Sequence, residues 1–253
     1  YNPRMLIDLN CDLGEGAGTD AAVIPLVTTA NVACGFHAGD PTIMRRVCRS
    51  AREKSVAVGA QFSYRDLAGF GRRPITMPAA ELSADIVYQI GGLDACARAE
   101  GTRVSYVKPH GALNNVSAVD PDQAAAIVAA VIAVDAGLPI LVLPGSELEQ
   151  LARAAGLRTV PEAYPDRAYD EHGQLVSRAL PDAVLHDVNK ITSRAVDLAC
   201  RASVTSRDGS ELSIRAESLC LHGDNPSAVV AARSIAGALR DRGVALTSFV
   251  DQL

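Results

Sequence analysis

Met5-Leu6-Ile7-Asp8-Leu9-Asn10-Cys11-Asp12 is a short apolar run that gives way to a polar cluster, and the same change recurs along the chain. Asn31 to Gly35 leads into Phe36-His37-Ala38-Gly39-Asp40, and Val104 to Val107 ends in Lys108-Pro109-His110-Gly111. Ser218 to Leu221 ends in His222-Gly223-Asp224-Asn225. Apolar runs of this length bounded by Gly and Pro read as buried strands. Strands that end in ionisable groups, with helices between them, suit a parallel α/β barrel, whose active site is built at the carboxyl ends of its strands.

Strand-like runs fall near 5–11, 31–35, 56–61, 104–108, 139–143, 159–164 and 218–222. Amphipathic or Ala-rich helical stretches fill 20–29, 42–54, 78–100, 121–135, 146–155, 186–200 and 226–242. Asp40-Pro41, Asp120-Pro121 and Asn225-Pro226 supply helix starts, and Gly101, Gly137 and Gly156 sit at matching stops. Neither GxGxxG nor GxxxxGK[ST] occurs, and the polar strand ends are spread along the chain instead of gathering at one switch point. Both facts favour a barrel of about seven strands over a nucleotide-binding doubly wound sheet.

A chain of 253 residues is a common size for such a barrel as one domain, and no Pro/Ser-rich linker divides 1–253. The absence of Trp and an aromatic share of 4% make the expected core aliphatic. A net charge of -5, with Lys and Arg scattered, leaves no electrostatic footprint for nucleic acid or a membrane surface. Six Cys without a CxxC pair read as reduced, mostly buried thiols. Nothing resembles a signal peptide or membrane span, so the expected location is the cytoplasm. A homo-oligomer is compatible with all of this.

Period-two alternation puts Asp8, Asn10 and Asp12 on one face of the first strand and Ile7, Leu9 and Cys11 on the other. The apolar face should meet the helices, so the lumen wall carries two carboxyls and an amide. Asp8 can equally be an inward acid paired to Arg or Lys; Asp12 lies at the strand end, where sites form. His37 sits among small residues with Asp40 three positions on, although Asp40 also suits a helix N-cap. Lys108 shares parity with Tyr106 and His110, and an inward lysine needs a carboxylate or an anionic substrate. Ser218, Cys220, His222 and Asp224 share a face on the last strand. His37, His110 and His222 with several Asp can hold a divalent metal, or act as acid, base and electrostatic clamps without one. No HExxH spacing supports the metal. Arg72-Arg73 behind Gly69-Phe70-Gly71 suits an anion or a surface salt bridge. Gly145-Ser146-Glu147 lacks the GxSxG elbow of a serine hydrolase.

IDLNCDLGEG (7–16), NVACGFHAGDP (31–41), GAQFSYRDLAGFGRR (59–73), YQIG (88–91), VKPHGAL (107–113), EAYPDRAY (162–169) and LCLHGDNP (219–226) together resemble the LamB/YcsF family. The resemblance runs in order over nearly the whole chain. It implies an irregular seven-stranded TIM-like (β/α) barrel related to glycoside hydrolase/deacetylase folds. It also implies the A component of prokaryotic 5-oxoprolinase, which opens 5-oxo-L-proline to L-glutamate with ATP as co-substrate and separate B and C subunits. The family commonly reads GAHPSYPD where this chain has Gly59 to Asp66, so a usual His is Gln61, which cannot exchange a proton near neutral pH. Asn114 stands where a Tyr is usual.

On this reading ATP phosphorylates the amide oxygen on or with the partner subunits, and this chain holds the lactam while water opens it. Asp12, His37, Lys108, His110, His222 and Asp224 are the expected catalytic set. Lys108 would bind the substrate carboxylate or developing charge, and Asp12 or Asp224 with His110 or His222 would deprotonate water. Asn10, Glu15, Gln61, Arg73, Glu162, Asp166 and Arg167 are the expected substrate-binding set. Two rivals are a metal-dependent deacetylase-like amide hydrolase and a non-catalytic lactam-binding protein.

Overall fold

Alternation along β1 (Leu6–Leu13) sets the architecture: Ile7, Leu9, Cys11 and Leu13 join the apolar core beneath the helices, while Asp8, Asn10 and Asp12 face the lumen and are buried there. The computed structural model describes residues 5–224 and 227–252. After β1 come α1 (Asp20–Val23), a 3-10 turn (Ile24–Leu26), β2 (Thr29–Ala33), α2 (Pro41–Glu53), β3 (Ala57–Phe62), α3 (Ala79–Ala99) and β4 (Val104–Pro109). Next are α4 (Gly111–Ser117), α5 (Pro121–Asp135), β5 (Ile140–Val142), α6 (Glu147–Ala154) and β6 (Thr159–Ala163). The chain continues with α7 (Val188–Arg201), β7 (Ser203–Thr205), β8 (Glu211–Ser213), β9 (Ser218–His222), α8 (Ala228–Asp241), β10 (Ala245–Leu246) and a 3-10 turn (Phe249–Gln252).

β1, β2, β3, β4, β5, β6 and β9 pair in that order, all parallel, and β9 returns to β1 to close the barrel. Closure runs from Asp8 opposite Ser218 to Asp12 opposite His222, so chain ends far apart in sequence share one wall. The barrel is irregular: β4 and β5 share one paired position, Val107 with Ile140, and the register shifts between Val58 and Gly59. That shift sits where the lumen must admit a ring. A Cβ on Gly59 would overlap the Tyr106 ring, whose hydroxyl donates to Asn31 Oδ1 at 2.7 Å. Tyr106, Leu141, Val160 and Phe249 form an apolar plug in the lumen, with the Tyr106 and Phe249 rings edge to face. Beyond it toward the carboxyl ends, the lumen is polar.

The seven expected barrel strands are present, with shifts at their ends. The helix expected over 20–29 stops at Leu26 because Pro25 tightens it into a 3-10 turn, and the β-branched Val27-Thr28-Thr29 goes into extended chain. Asp40 accepts from the Ile43 amide, and Asp120 accepts from Asp122 and Gln123, as the two Asp-Pro starts require. Asn225-Pro226 lies outside the described residues. α4, the β7–β8 hairpin and β10 are additions to the expected elements: each is short and carries no periodic apolar pattern. All six cysteines are free. Among the described residues no single helix is long and apolar enough to cross a bilayer; α4 and α5 together reach the length but are bent by 113°.

Candidate active site

Parallel strands bring their carboxyl ends to one mouth, and the lumen below it carries a ladder of hydrogen bonds. At the bottom Asp8 accepts from Thr28, Thr29 and Ser218 hydroxyls, so its partners are alcohols and not a cation. Burial pushes its carboxyl up to about 7 against those hydrogen bonds. One step higher, Asn10 Nδ2 donates to Glu162 Oε1 at 2.7 Å and Ser218 Oγ at 2.6 Å, and Asn10 Oδ1 accepts from Asn31. Asn31 also donates to Asp12 Oδ1 at 2.8 Å.

Lys108 caps this ladder. Its ammonium donates to Asp12 Oδ1 at 3.1 Å, Glu162 Oε1 at 2.9 Å and Cys220 Sγ at 3.0 Å. Burial alone would push Lys108 down, but the neighbouring carboxyl groups hold it well above its ordinary value. Asp12 answers in kind: burial pushes it up, yet Lys108, His222 and His110 hold it far below the usual carboxylate range. Burial and Asp12 keep the Cys220 thiol protonated, so its sulfur is the weakest of the three acceptors. All three ammonium hydrogens are therefore engaged, which is not the open anion site the sequence suggested for Lys108.

His222, at the end of β9, is held by Asp166 from the loop after β6. The ring Nδ1 lies 2.9 Å from Asp166 Oδ2, and the His222 backbone N–H also donates to that carboxylate. Burial pushes Asp166 up, but His222 beside it brings it below its ordinary value. A carboxylate only accepts, so Nδ1 carries a proton, which leaves Nε2 as the nitrogen able to exchange one with a ligand. The Tyr164 ring stacks on His222 at 5.7 Å, and its hydroxyl donates to Glu162 Oε2.

His37 and His110 form a separate group. Their rings stack at 3.9 Å and 13°, and the Phe70 ring meets both edge-on. His110 Nε2 lies 3.1 Å from the Phe70 carbonyl, which can only accept, so His110 Nδ1 carries the lone pair and takes an N–H from Gln61 at 3.0 Å. Gln61, the departure from the family pattern, thus touches a candidate catalytic residue directly. The Gly69 to Arg73 loop closes over this pair through Gly71, at φ +65°, where a Cβ would lie 2.8 Å from His37 Cβ and 2.5 Å from Ser63 Oγ. Glu15, from the β1–α1 loop, points its Oε1 at His37 Nε2 and His110 Nδ1. Burial, with Asp12 and Asp224 nearby, pushes Glu15 well above the carboxylate range, and burial pushes His37 down to about 4. Three histidines do not converge on one point: His222 belongs to Asp166.

A cavity of about 660 Å³ opens over these groups, with Asp12, Lys108, His110 and His222 on its walls and Arg72, Arg167 and Arg178 around it. That size is within the roughly 300–1,000 Å³ of small-ligand pockets. Asn10 and Glu162 lie beneath it in the ladder, and His37, Glu15 and Gln61 lie behind His110. Asp224 sits at the rim, 29% exposed, paired with Arg72. Arg73 faces away: its side chain is 65% exposed and bound to Asp66, and Arg72 takes the inward position. Arg167 donates to the Ala183 and Val176 carbonyls, which ties down the loop it lies beside. Burial and nearby Arg178 bring Arg167 down to about 10. Asn114 donates to the Tyr164 hydroxyl at 3.3 Å on the cavity wall. Tyr164 and Arg178 are additions to the residues expected at the site. Tyr164 had a signal, since it follows Glu162 by two residues at the end of a lumen-facing strand; Arg178 had none.

The model of the LamB/YcsF family matches residues 7–253. A protein of Paracidovorax citrulli that carries the name of the A component of 5-oxoprolinase is 53% identical over 250 residues, covering 97% of this chain and all of that protein. The crystal structure of a lactam utilization protein from Thermus thermophilus superposes with a TM-score of 0.90 at 44% identity, over 97% of this chain and 100% of that one. A family 4 carbohydrate esterase from Streptomyces lividans, covering 98% of this chain and 94% of its own, has a TM-score of 0.52 at 11% identity. That last likeness speaks for the barrel alone.

Proposed function

Because the chain belongs to the LamB/YcsF family, we propose that it is the A component of an ATP-dependent 5-oxoprolinase, opening the lactam of 5-oxo-L-proline to L-glutamate with separate B and C subunits. The observation that carries this reading is the 53% identity, over the whole length of the relative, to a protein named as that component of 5-oxoprolinase. The geometry supports a division of labour among the cavity groups.

A five-membered lactam is a resonance-stabilised amide, so its carbonyl must be activated before water attacks. In this scheme ATP is used on or with the partner subunits, and phosphorylation of the amide oxygen supplies the activation. In the cavity, His222 Nε2 takes a proton from water as its oxygen bonds to the lactam carbonyl carbon. Asp166 holds the ring in the tautomer this requires and stabilises the imidazolium that forms. The C–N bond then breaks and the ring nitrogen takes up a proton to become the amine. The carbon keeps the phosphoryl group as an acyl phosphate, which a second water splits to inorganic phosphate and the side-chain carboxylate of glutamate. Lys108 sets a positive charge beneath the reacting carbon, and its N–H on the Cys220 sulfur is the one most easily turned to the negatively charged phosphoryl group on the activated oxygen. Arg72 and Arg178 replace Lys108 as the candidates for the substrate carboxylate. His110, with both ring nitrogens engaged, is a poor base and serves as wall and support.

Reconstitution tests this. Glutamate should form from 5-oxoproline when this chain, its B and C partners and ATP are all present, and omission of any one should stop it. Absence of glutamate from the complete mixture would overturn the assignment.

A further inference from the structure

Behind His110 the structure leaves buried polar atoms without partners. Glu15 Oε1, both ring nitrogens of His37 and Gln61 Oε1 make no hydrogen bond. Each such atom costs about 1–3 kcal/mol when dry and unbonded, so a cluster of them implies a bound species. The spacing identifies its kind. Glu15 Oε1 lies 3.6 Å from His37 Nε2 and 3.5 Å from His110 Nδ1, beyond ordinary hydrogen-bond length. Two ligands bound at about 2.0–2.1 Å to one tetrahedral ion stand roughly 3.3 Å apart, close to both Glu15–imidazole separations. The two rings, stacked at 3.9 Å and 13°, would splay to bring their in-plane lone pairs onto one ion. The His110 Nε2–H is directed at the Phe70 carbonyl, the second contact that metal-bound imidazoles commonly make.

We propose that Glu15, His37 and His110 form a binding site for one divalent first-row transition-metal ion. Two imidazoles and one carboxylate select Zn²⁺, Co²⁺ or Fe²⁺ over Mg²⁺ and Ca²⁺. A half-turn of the Gln61 amide frees the His110 lone pair and offers Gln61 Oε1, now unbonded, as a fourth donor in place of an N–H. His110 stands on the cavity wall, so the ion has a route in. The side chains it joins come from the ends of β1, β2 and β4, and the Gly71 turn covers them.

The test uses metal alone, with no lactam, ATP or partner protein, so its failure and that of the 5-oxoprolinase assignment are told apart. Full-length protein dialysed against a chelator is titrated with Co²⁺ and followed by visible absorption and calorimetry. One Co²⁺ per chain is expected, with affinity falling at least ~100-fold in Glu15→Gln and His37→Asn and unchanged in His172→Ala, an exposed histidine. If either site variant fails to fold, X-ray absorption on Zn²⁺-loaded wild type decides, with two imidazoles expected on the ion. No uptake by folded wild type, equal binding by the folded site variants, or fewer than two imidazoles would overturn the site and leave water as the filler of that gap.

Discussion

In the proposed reaction His222 acts as base only if Asp166 fixes its tautomer, and this separates a base from a buried ring. Asp166→Asn is expected to cut kcat for glutamate formation about 10²- to 10⁴-fold with little change in KM. Equal losses in kcat and thermal stability would instead mark Asp166 as structural. Asp8 gives a residue-scale prediction of another kind. The folded protein keeps the Asp8 proton up to about pH 7, whereas the unfolded chain releases it near its ordinary value. Between about pH 4 and 7 the folded state therefore binds more protons, and this residue lowers stability as pH rises, by on the order of 4 kcal/mol in all. Urea unfolding should show Asp8→Asn gaining stability relative to wild type from pH 5 to pH 8; parallel pH curves would contradict it. The parity of Asp8, Asn10 and Asp12 was legible because a strand has period two. The choice between Arg72 and Arg73 was not, since the loop that carries them has no period. Nor was the engagement of all three Lys108 hydrogens, which depends on strands far away in sequence.

At the scale of elements, the barrel admits the Tyr106 ring only because β3 has no side chain at Gly59. Gly59→Ala should cost at least ~2 kcal/mol in urea unfolding, because the Cβ overlaps a buried ring whose hydroxyl is anchored on Asn31. A change below about 0.5 kcal/mol would mean that the ring can move aside. The barrel strands and the longer helices could be read from apolar runs and Asp-Pro starts. Shorter pieces could not: α4 has seven residues, β7 and β8 have three each, and tertiary contacts decide their conformation. The β7–β8 hairpin lies between α7 and β9, where the sequence suggested only a connection.

For the whole molecule, closure of β9 on β1 joins Asp12 and His222 to Lys108 from β4 and Glu162 from β6 around one mouth. Removing a charge there should leave the outer apolar core intact and still stop the reaction. The decisive measurement is kcat for glutamate release from 5-oxoproline, with ATP and both partner proteins, for Lys108→Met and Asp12→Asn against wild type. Both folded variants should fall at least ~100-fold. Full turnover by either one would contradict the placement of ring opening in this cavity.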